Sequence, residues 1–122
     1  EAAFNACDEV RGFAKKVGVV NTIVNENGKL VGYNTNADGF MYAINEFDSI
    51  RNILVLGAGG TAEALVNRFL QDGINITVIN RSEKRLEYFK DLNIQTFTWD
   101  TFKVSKYDLV VNTTSAGLKD DN

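Results

Sequence analysis

The chain has 122 residues, 44% of them hydrophobic, and 13 basic against 16 acidic residues leave a formal net charge of −3. That length and apolar content suit one domain with a packed core, and mixed charge without a basic run argues against nucleic acid as a main partner. With no histidine and one cysteine, Cys7, there is no Ser-His-Asp triad, internal disulfide or thiolate metal site, so no metal is expected; no basic-then-apolar leader or apolar run of about 20 residues is visible, which excludes a membrane span and makes a cytoplasmic location the expectation.

Residues 1–17 read as a helix, with Phe4, Cys7, Val10, Phe13, Ala14 and Val17 recurring near every third or fourth position and Gly18 as its stop. Val19–Val24 reads as a strand, Asn27-Gly28 as a two-residue hairpin turn, and Lys29–Tyr33 as the returning strand. Asn34-Thr35-Asn36 supplies N-cap residues for a helix over about residues 37–47, whose apolar face is Phe40, Met41, Ala43, Ile44 and Phe47. From residue 52 the pattern changes. Ile53–Leu56 is a continuous apolar run, as a strand buried on both faces requires. Thr61–Gln71 reads as a helix stopped by Gly73, and Ile74–Ile79 as a second buried strand. Ser82–Leu92 reads as a helix capped by Ser82, Ile94–Phe97 as a strand, Thr101–Ser105 as a short helical turn and Tyr107–Asn112 as a strand. Alternating strands and helices predict an α/β fold with a parallel, Rossmann-type sheet, incomplete in its strand count and preceded by a helix–hairpin–helix piece.

Gly57-x-Gly59-x-x-Ala62 matches the dinucleotide fingerprint, and here it follows a buried strand and opens a helix. Gly57 permits the turn out of the strand, Gly59 leaves room for a pyrophosphate, and Ala62 lets helix and sheet approach. The free N–H groups at the helix start then face the phosphate charge. Gly57, Ala58, Gly59, Gly60, Thr61 and Ala62 are the candidate phosphate-loop residues. An NAD-specific fold places a carboxylate at the tip of the second strand. Here the tip reads Asn80-Arg81-Ser82, with Lys84 and Arg85 one turn on. A guanidinium suits an adenosine 2′-phosphate and offers NAD nothing equivalent, so the expected cofactor is NADP. A solvated basic helix start, paired locally with Glu83 and Glu87, is the competing reading.

Taken together, these residues resemble the shikimate dehydrogenase family along nearly the whole chain. The matching segments are Ala3-Phe4-Asn5, Gly18-Val19-Val20-Asn21-Thr22, Gly32-Tyr33-Asn34-Thr35-Asn36-Ala37-Asp38-Gly39, Gly57-Ala58-Gly59-Gly60, Asn80-Arg81-Ser82-Glu83-Lys84-Arg85 and Asn112-Thr113-Thr114-Ser115-Ala116-Gly117. The resemblance implies an oxidoreductase that reduces 3-dehydroshikimate to shikimate with NADPH, on the way to aromatic amino acids. It implies residues 1–50 as the end of a substrate domain plus a linker helix, and residues 51–122 as a truncated NADP-binding domain. It also implies Asn21 as a substrate-binding residue, Asn80 to Arg85 as the 2′-phosphate motif, and Asn112, Thr113 and Thr114, with Ser115, as a loop near the nicotinamide ribose.

Two departures qualify that expectation. The family's Gly-x-Asn-Thr-Asp motif ends here in Asn36. An amide can bond a hydroxyl, so Asn36 remains a candidate at the catalytic and substrate position, but it cannot accept a proton. Asp38 is no substitute, because two helical residues turn about 200°. The family's lysine lies in an Asn-Val-Thr-x-Pro-x-Lys type motif, and this chain contains no proline. The chain is therefore expected to be a fragment inactive alone, with its small-molecule substrate bound only in the intact protein. A non-catalytic NADP-binding module and a quinate/shikimate dehydrogenase-like paralogue with altered substrate are the alternatives.

Overall fold

In a computed structural model of the chain, the described residues are 5–18, 20–26, 28–34, 50–92, 94–102 and 106–114. In chain order their elements are β1 (Glu9–Val10), α1 (Phe13–Val17), β2 (Thr22–Glu26), β3 (Lys29–Tyr33), β4 (Asn52–Leu56), α2 (Gly60–Gln71), β5 (Asn75–Ile79), α3 (Glu83–Lys90), β6 (Gln95–Phe97) and β7 (Leu109–Asn112). One seven-stranded sheet takes them in the order β1-β3-β2-β7-β4-β5-β6.

Strands β6, β5, β4 and β7 are mutually parallel neighbours. Their order, third-second-first-fourth in sequence, is that of a Rossmann half-sheet. Both faces are apolar, as the unbroken runs predict. Ile53, Val55, Ile76, Val78, Leu109 and Val111 face Leu65, Val66 and Phe69 of α2 and Leu86 and Phe89 of α3 in the main core. Full burial of Phe69 and Phe89 contributes about 2–3 kcal/mol each. Leu54, Leu56 and Ile79 point the other way, where Phe97, Phe102, Tyr107 and Val110 cover them. Helix α2 forms because Ala62, Leu65, Val66 and Phe69 make one buried stripe, while Glu63 in its first turn and Arg68 in its last oppose the helix dipole.

The N-terminal part departs from expectation. The helix read over residues 1–17 is interrupted: between helical residues 5–6 and the helix Phe13–Val17, Glu9–Val10 pair in parallel with Val31–Gly32, and the second helical piece is closed by Gly18, whose N–H donates to the Ala14 carbonyl. The open edge of β3 outcompetes the helix. Asp8 N donates to the Leu30 carbonyl at 2.8 Å, its carboxylate accepts from Leu30 N at 2.8 Å, and Arg11 N donates to the Gly32 carbonyl at 3.0 Å. Gly32 suits this seam because a Cβ there would lie 2.7 Å from Cys7 Sγ and 2.9 Å from Val20 Cγ2. Arg11 forms ion pairs with Glu9 and Glu26 and Lys29 pairs with Glu9, which charges the sheet edge.

Strands β2 and β3 pair as the expected hairpin, with Glu26 opposite Lys29; Asn27 of its turn lies outside the described residues. Its first strand begins at Thr22 rather than residue 19, because Val20 turns into a small cluster with Ala14. A turn leads into Thr101, with Thr101 N and Phe102 N both donating to the Thr98 carbonyl; residues 103–105 of the turn expected at Thr101–Ser105 lie outside the described residues. Strand β2 lies antiparallel to β7, pairing Thr22 with Val111 and Val24 with Leu109. A single sheet therefore runs across the boundary expected near residue 50. The helix read over 37–47, with Asn36 and Asp38, lies outside the described residues, as does Ser115.

Candidate dinucleotide site

Strands β4, β5 and β7 end at the same edge of the sheet, and the loops that leave them meet there. Strand order reverses between β4 and β7, where open α/β sheets hold their ligands. Gly57 leaves β4 with φ 105° and donates its N–H to the Ile79 carbonyl of β5 at 2.8 Å. A side chain is excluded there twice: L residues avoid that φ, and a Cβ would sit 2.5 Å from Thr113 Oγ1 and 2.7 Å from Thr114 Cγ2.

Thr113 locks this junction. Its N–H and its hydroxyl both donate to the Leu56 carbonyl, at 2.9 and 2.8 Å. Asn112 builds the adjoining turn, its Oδ1 accepting from Thr114 N at 2.9 Å and from Thr114 Oγ1 at 2.7 Å. Sequence reasoning placed Asn112 and Thr113 near a ligand but missed that they hold the glycine loop. The only sequence signal for this role is a run of short hydrogen-bonding residues directly after a buried strand.

Helix α2 starts from Gly59, which provides no side-chain cap for the first N–H groups. A Cβ on Gly60 would meet nothing within 4 Å, and one on Gly59 would meet only Arg85 Nη1, at 3.9 Å. Ala58 and Ala62 are buried and Thr61 is exposed. The space over the helix start is thus open, rich in N–H donors and bordered by a guanidinium.

At the tip of β5, Asn80 N donates to the Phe97 carbonyl at 3.1 Å, and its Nδ2 donates to the Ser82 carbonyl at 3.0 Å. Asn80 therefore shapes the turn that presents the exposed residues Arg81, Ser82, Lys84 and Arg85. Ser82 occupies the N-cap position of α3, as expected, but makes no capping bond. Among the described residues the local acid Glu83 pairs with Lys90, at 3.5 Å, and no ion pair engages Arg81, Lys84 or Arg85. Three exposed cations with no ion pair among the described residues, Arg85 of them at an open helix N-terminus, form a surface suited to a phosphate dianion.

Asn21 reaches the same edge through the β2–β7 pairing. Its carbonyl accepts from Asn112 N at 2.8 Å, and its Oδ1 accepts from the Thr22 hydroxyl at 3.0 Å. The described candidate residues thus converge on one sheet edge. Among the described residues no group of three or more His, Cys, Asp or Glu could hold a metal ion. No helix among them is long and apolar enough to cross a membrane.

The sequence profile of the Shikimate / quinate 5-dehydrogenase family matches residues 41–119. The chain is 44% identical over 123 residues to a shikimate dehydrogenase (NADP(+)) of Helicobacter hepaticus, covering 99% of this chain and 46% of that protein. Among solved structures it is similar to a chorismate mutase/shikimate 5-dehydrogenase fusion protein from Clostridium acetobutylicum (TM-score 0.52, 28% identity, 94% of this chain and 44% of that one). It is also similar to a 5-ketofructose reductase from a Gluconobacter strain (TM-score 0.52, 27% identity, 93% and 46%). The chain spans about half the length of the curated relatives it matches.

Proposed function

This chain belongs to the shikimate / quinate 5-dehydrogenase family, and on that premise we propose that it is the cofactor-binding part of an NADP-dependent shikimate dehydrogenase, interconverting 3-dehydroshikimate and shikimate in the cytoplasm. The observation that carries the reading is the trio Arg81, Lys84 and Arg85, free of ion pairs among the described residues, with Arg85 at the open start of α2 and no carboxylate at the β5 tip.

In this proposal Gly57 to Ala62 receive the pyrophosphate on the N–H groups of α2, and Asn80 to Arg85 hold the 2′-phosphate. Asn112 to Thr114 border the nicotinamide ribose. Bound NADPH supplies the hydride. Asn21 orients substrate, and Asn36 stands where the family has its aspartate. Residues 1–50 belong to the substrate domain and linker, residues 51–122 to the NADP domain, and turnover requires the longer protein. The test is calorimetric titration with NADP and NAD. Wild type should prefer NADP by about 10–100-fold, the value of a charge-assisted phosphate contact, and Arg81→Ala should remove about tenfold from NADP affinity alone. Equal affinity for the two cofactors overturns the assignment, and dehydrogenase turnover by the 122-residue chain overturns its dependence on the longer protein.

A second reading, a non-catalytic NADP-binding module, is favoured by one observation: the Asn36 amide cannot take a proton. Assay of the longer protein with Asn36 and with Asn36→Asp decides it; full activity of the asparagine form rejects the non-catalytic module.

A further inference from the structure

Resting on the NADP reading, we propose that Asn67 and Tyr88 are a positioning pair that sets the reach of Arg85 over the glycine loop. The loop opens α2 and the cations ride on α3, so the relative placement of these two helices decides whether loop and guanidinium serve one ligand. On the sheet side both helices are anchored by buried apolar residues, Leu65, Val66 and Phe69 against Leu86 and Phe89. On the solvent side they are tied by a side-chain bond: Asn67 Nδ2 donates to the Tyr88 hydroxyl at 2.9 Å. The same amide donates to the Glu63 carbonyl at 2.8 Å, so both of its N–H groups are committed and it is fixed to its own helix.

Tyr88 is held as well, its ring edge-on to the ring of buried Phe89 with centroids 5.1 Å apart. Tyr88 follows Arg85 by three positions, so the two stand on one face of α3 a turn apart. Arg85 in turn points back to Gly59, with Nη1 3.9 Å from where a Cβ on that glycine would lie. The amide–phenol tie thus holds the outer face of α3 against rotation away from α2 and keeps Arg85 at the loop. The tie sits at the surface, with Tyr88 45% exposed, so its loss should register in ligand affinity far more than in folding.

The test titrates adenosine 2′,5′-bisphosphate, which carries the 2′-phosphate without nicotinamide. Tyr88→Phe and Asn67→Ala each remove the same bond from opposite ends, and each should weaken binding about threefold to tenfold, the span of one net hydrogen bond. Combined with Arg85→Ala, the Tyr88→Phe effect should shrink below about twofold, because a residue acting through Arg85 has nothing left to position. Failure of wild type to bind the bisphosphate overturns the NADP reading itself. Wild-type-like binding by Asn67→Ala and Tyr88→Phe, with Arg85→Ala still weakened, overturns this inference alone. So does a Tyr88→Phe loss that persists undiminished beside Arg85→Ala, which would mark a role in the fold rather than in aiming the guanidinium.

Discussion

Replacing Gly57 by alanine isolates what the glycine loop demands of its first residue. At φ 105° an L residue is strained, at a cost of about 1–2 kcal/mol. The new Cβ would lie 2.5 Å from Thr113 Oγ1 and 2.7 Å from Thr114 Cγ2, so one or both must move. If Thr113 turns away, its 2.8 Å bond to the Leu56 carbonyl is lost, which adds about 1 kcal/mol. The sum, about 2–4 kcal/mol with displacement of Thr114 included, is a large part of a typical domain's net stability. Urea unfolding reads it, and Trp99, the single tryptophan, is a probe, edge-on to Phe102 at 6.3 Å. The variant Thr113→Ala separates the two causes. In the Gly57→Ala/Thr113→Ala double variant the clash with Thr113 should be relieved, by about 1 kcal/mol relative to additivity, while the backbone part and the contact with Thr114 remain. A Gly57→Ala protein within about 0.5 kcal/mol of wild type, below any of the costs named, would refute the reasoning, as would strict additivity.

Two further outcomes follow from other parts of the fold. Asp108 Oδ2 accepts from both Arg51 N and Asn52 N at 2.9 Å, where β4 begins; Asp108→Ala should cost about 1.5–3 kcal/mol in urea unfolding and leave NADP affinity unchanged, because the loop lies at the other end of the strand. Hydrogen bonds from Lys29 and then Arg11 hold the Glu9 carboxyl down at about 2, below its ordinary 4.5. A depressed folded value gives stability that is present above the unfolded value and lost as pH falls, so melting temperatures of wild type and Glu9→Gln should differ constantly above about pH 5 and converge between 4.5 and about 2; a gap that stays open through pH 2 contradicts the assignment.

The Rossmann half was legible because its central strands, β4 and β5, are buried on both faces and say so locally. Ile53–Leu56 and Ile74–Ile79 admit few alternatives, and the glycines between them state the turn. The cation cluster was legible for a similar reason, since Arg81 follows its strand directly. The N-terminal segment was not. Phe4, Cys7, Val10, Phe13, Ala14 and Val17 carry helical spacing, yet Glu9–Val10 joins β3, because an unsatisfied strand edge offers bonds that periodicity does not report. Nor does any local pattern announce that β2 will lie against β7, a pairing decided by whole-sheet packing. Thr113 was read as a ligand neighbour because its motif sits there; that it also fills the space a Cβ on Gly57 would need appears only when two loops are seen together.

The place of β7 has a consequence for how the molecule comes into being. It is the last described strand in the chain, yet it lies between β2 and β4. During synthesis the hairpin and the β4–β5–β6 unit both emerge before the strand that unites them. Until residues 109–112 arrive, each half presents an exposed edge, a template for mispairing with another chain. Lengthening the closing loop adds only about 0.6 kcal/mol per doubling, so the finished protein gives up little stability for this wiring. The burden falls on time, since distant pairings form slowly. Assembly should therefore be late and abrupt, waiting on four residues, Leu109–Asn112, that complete both half-sheets at once.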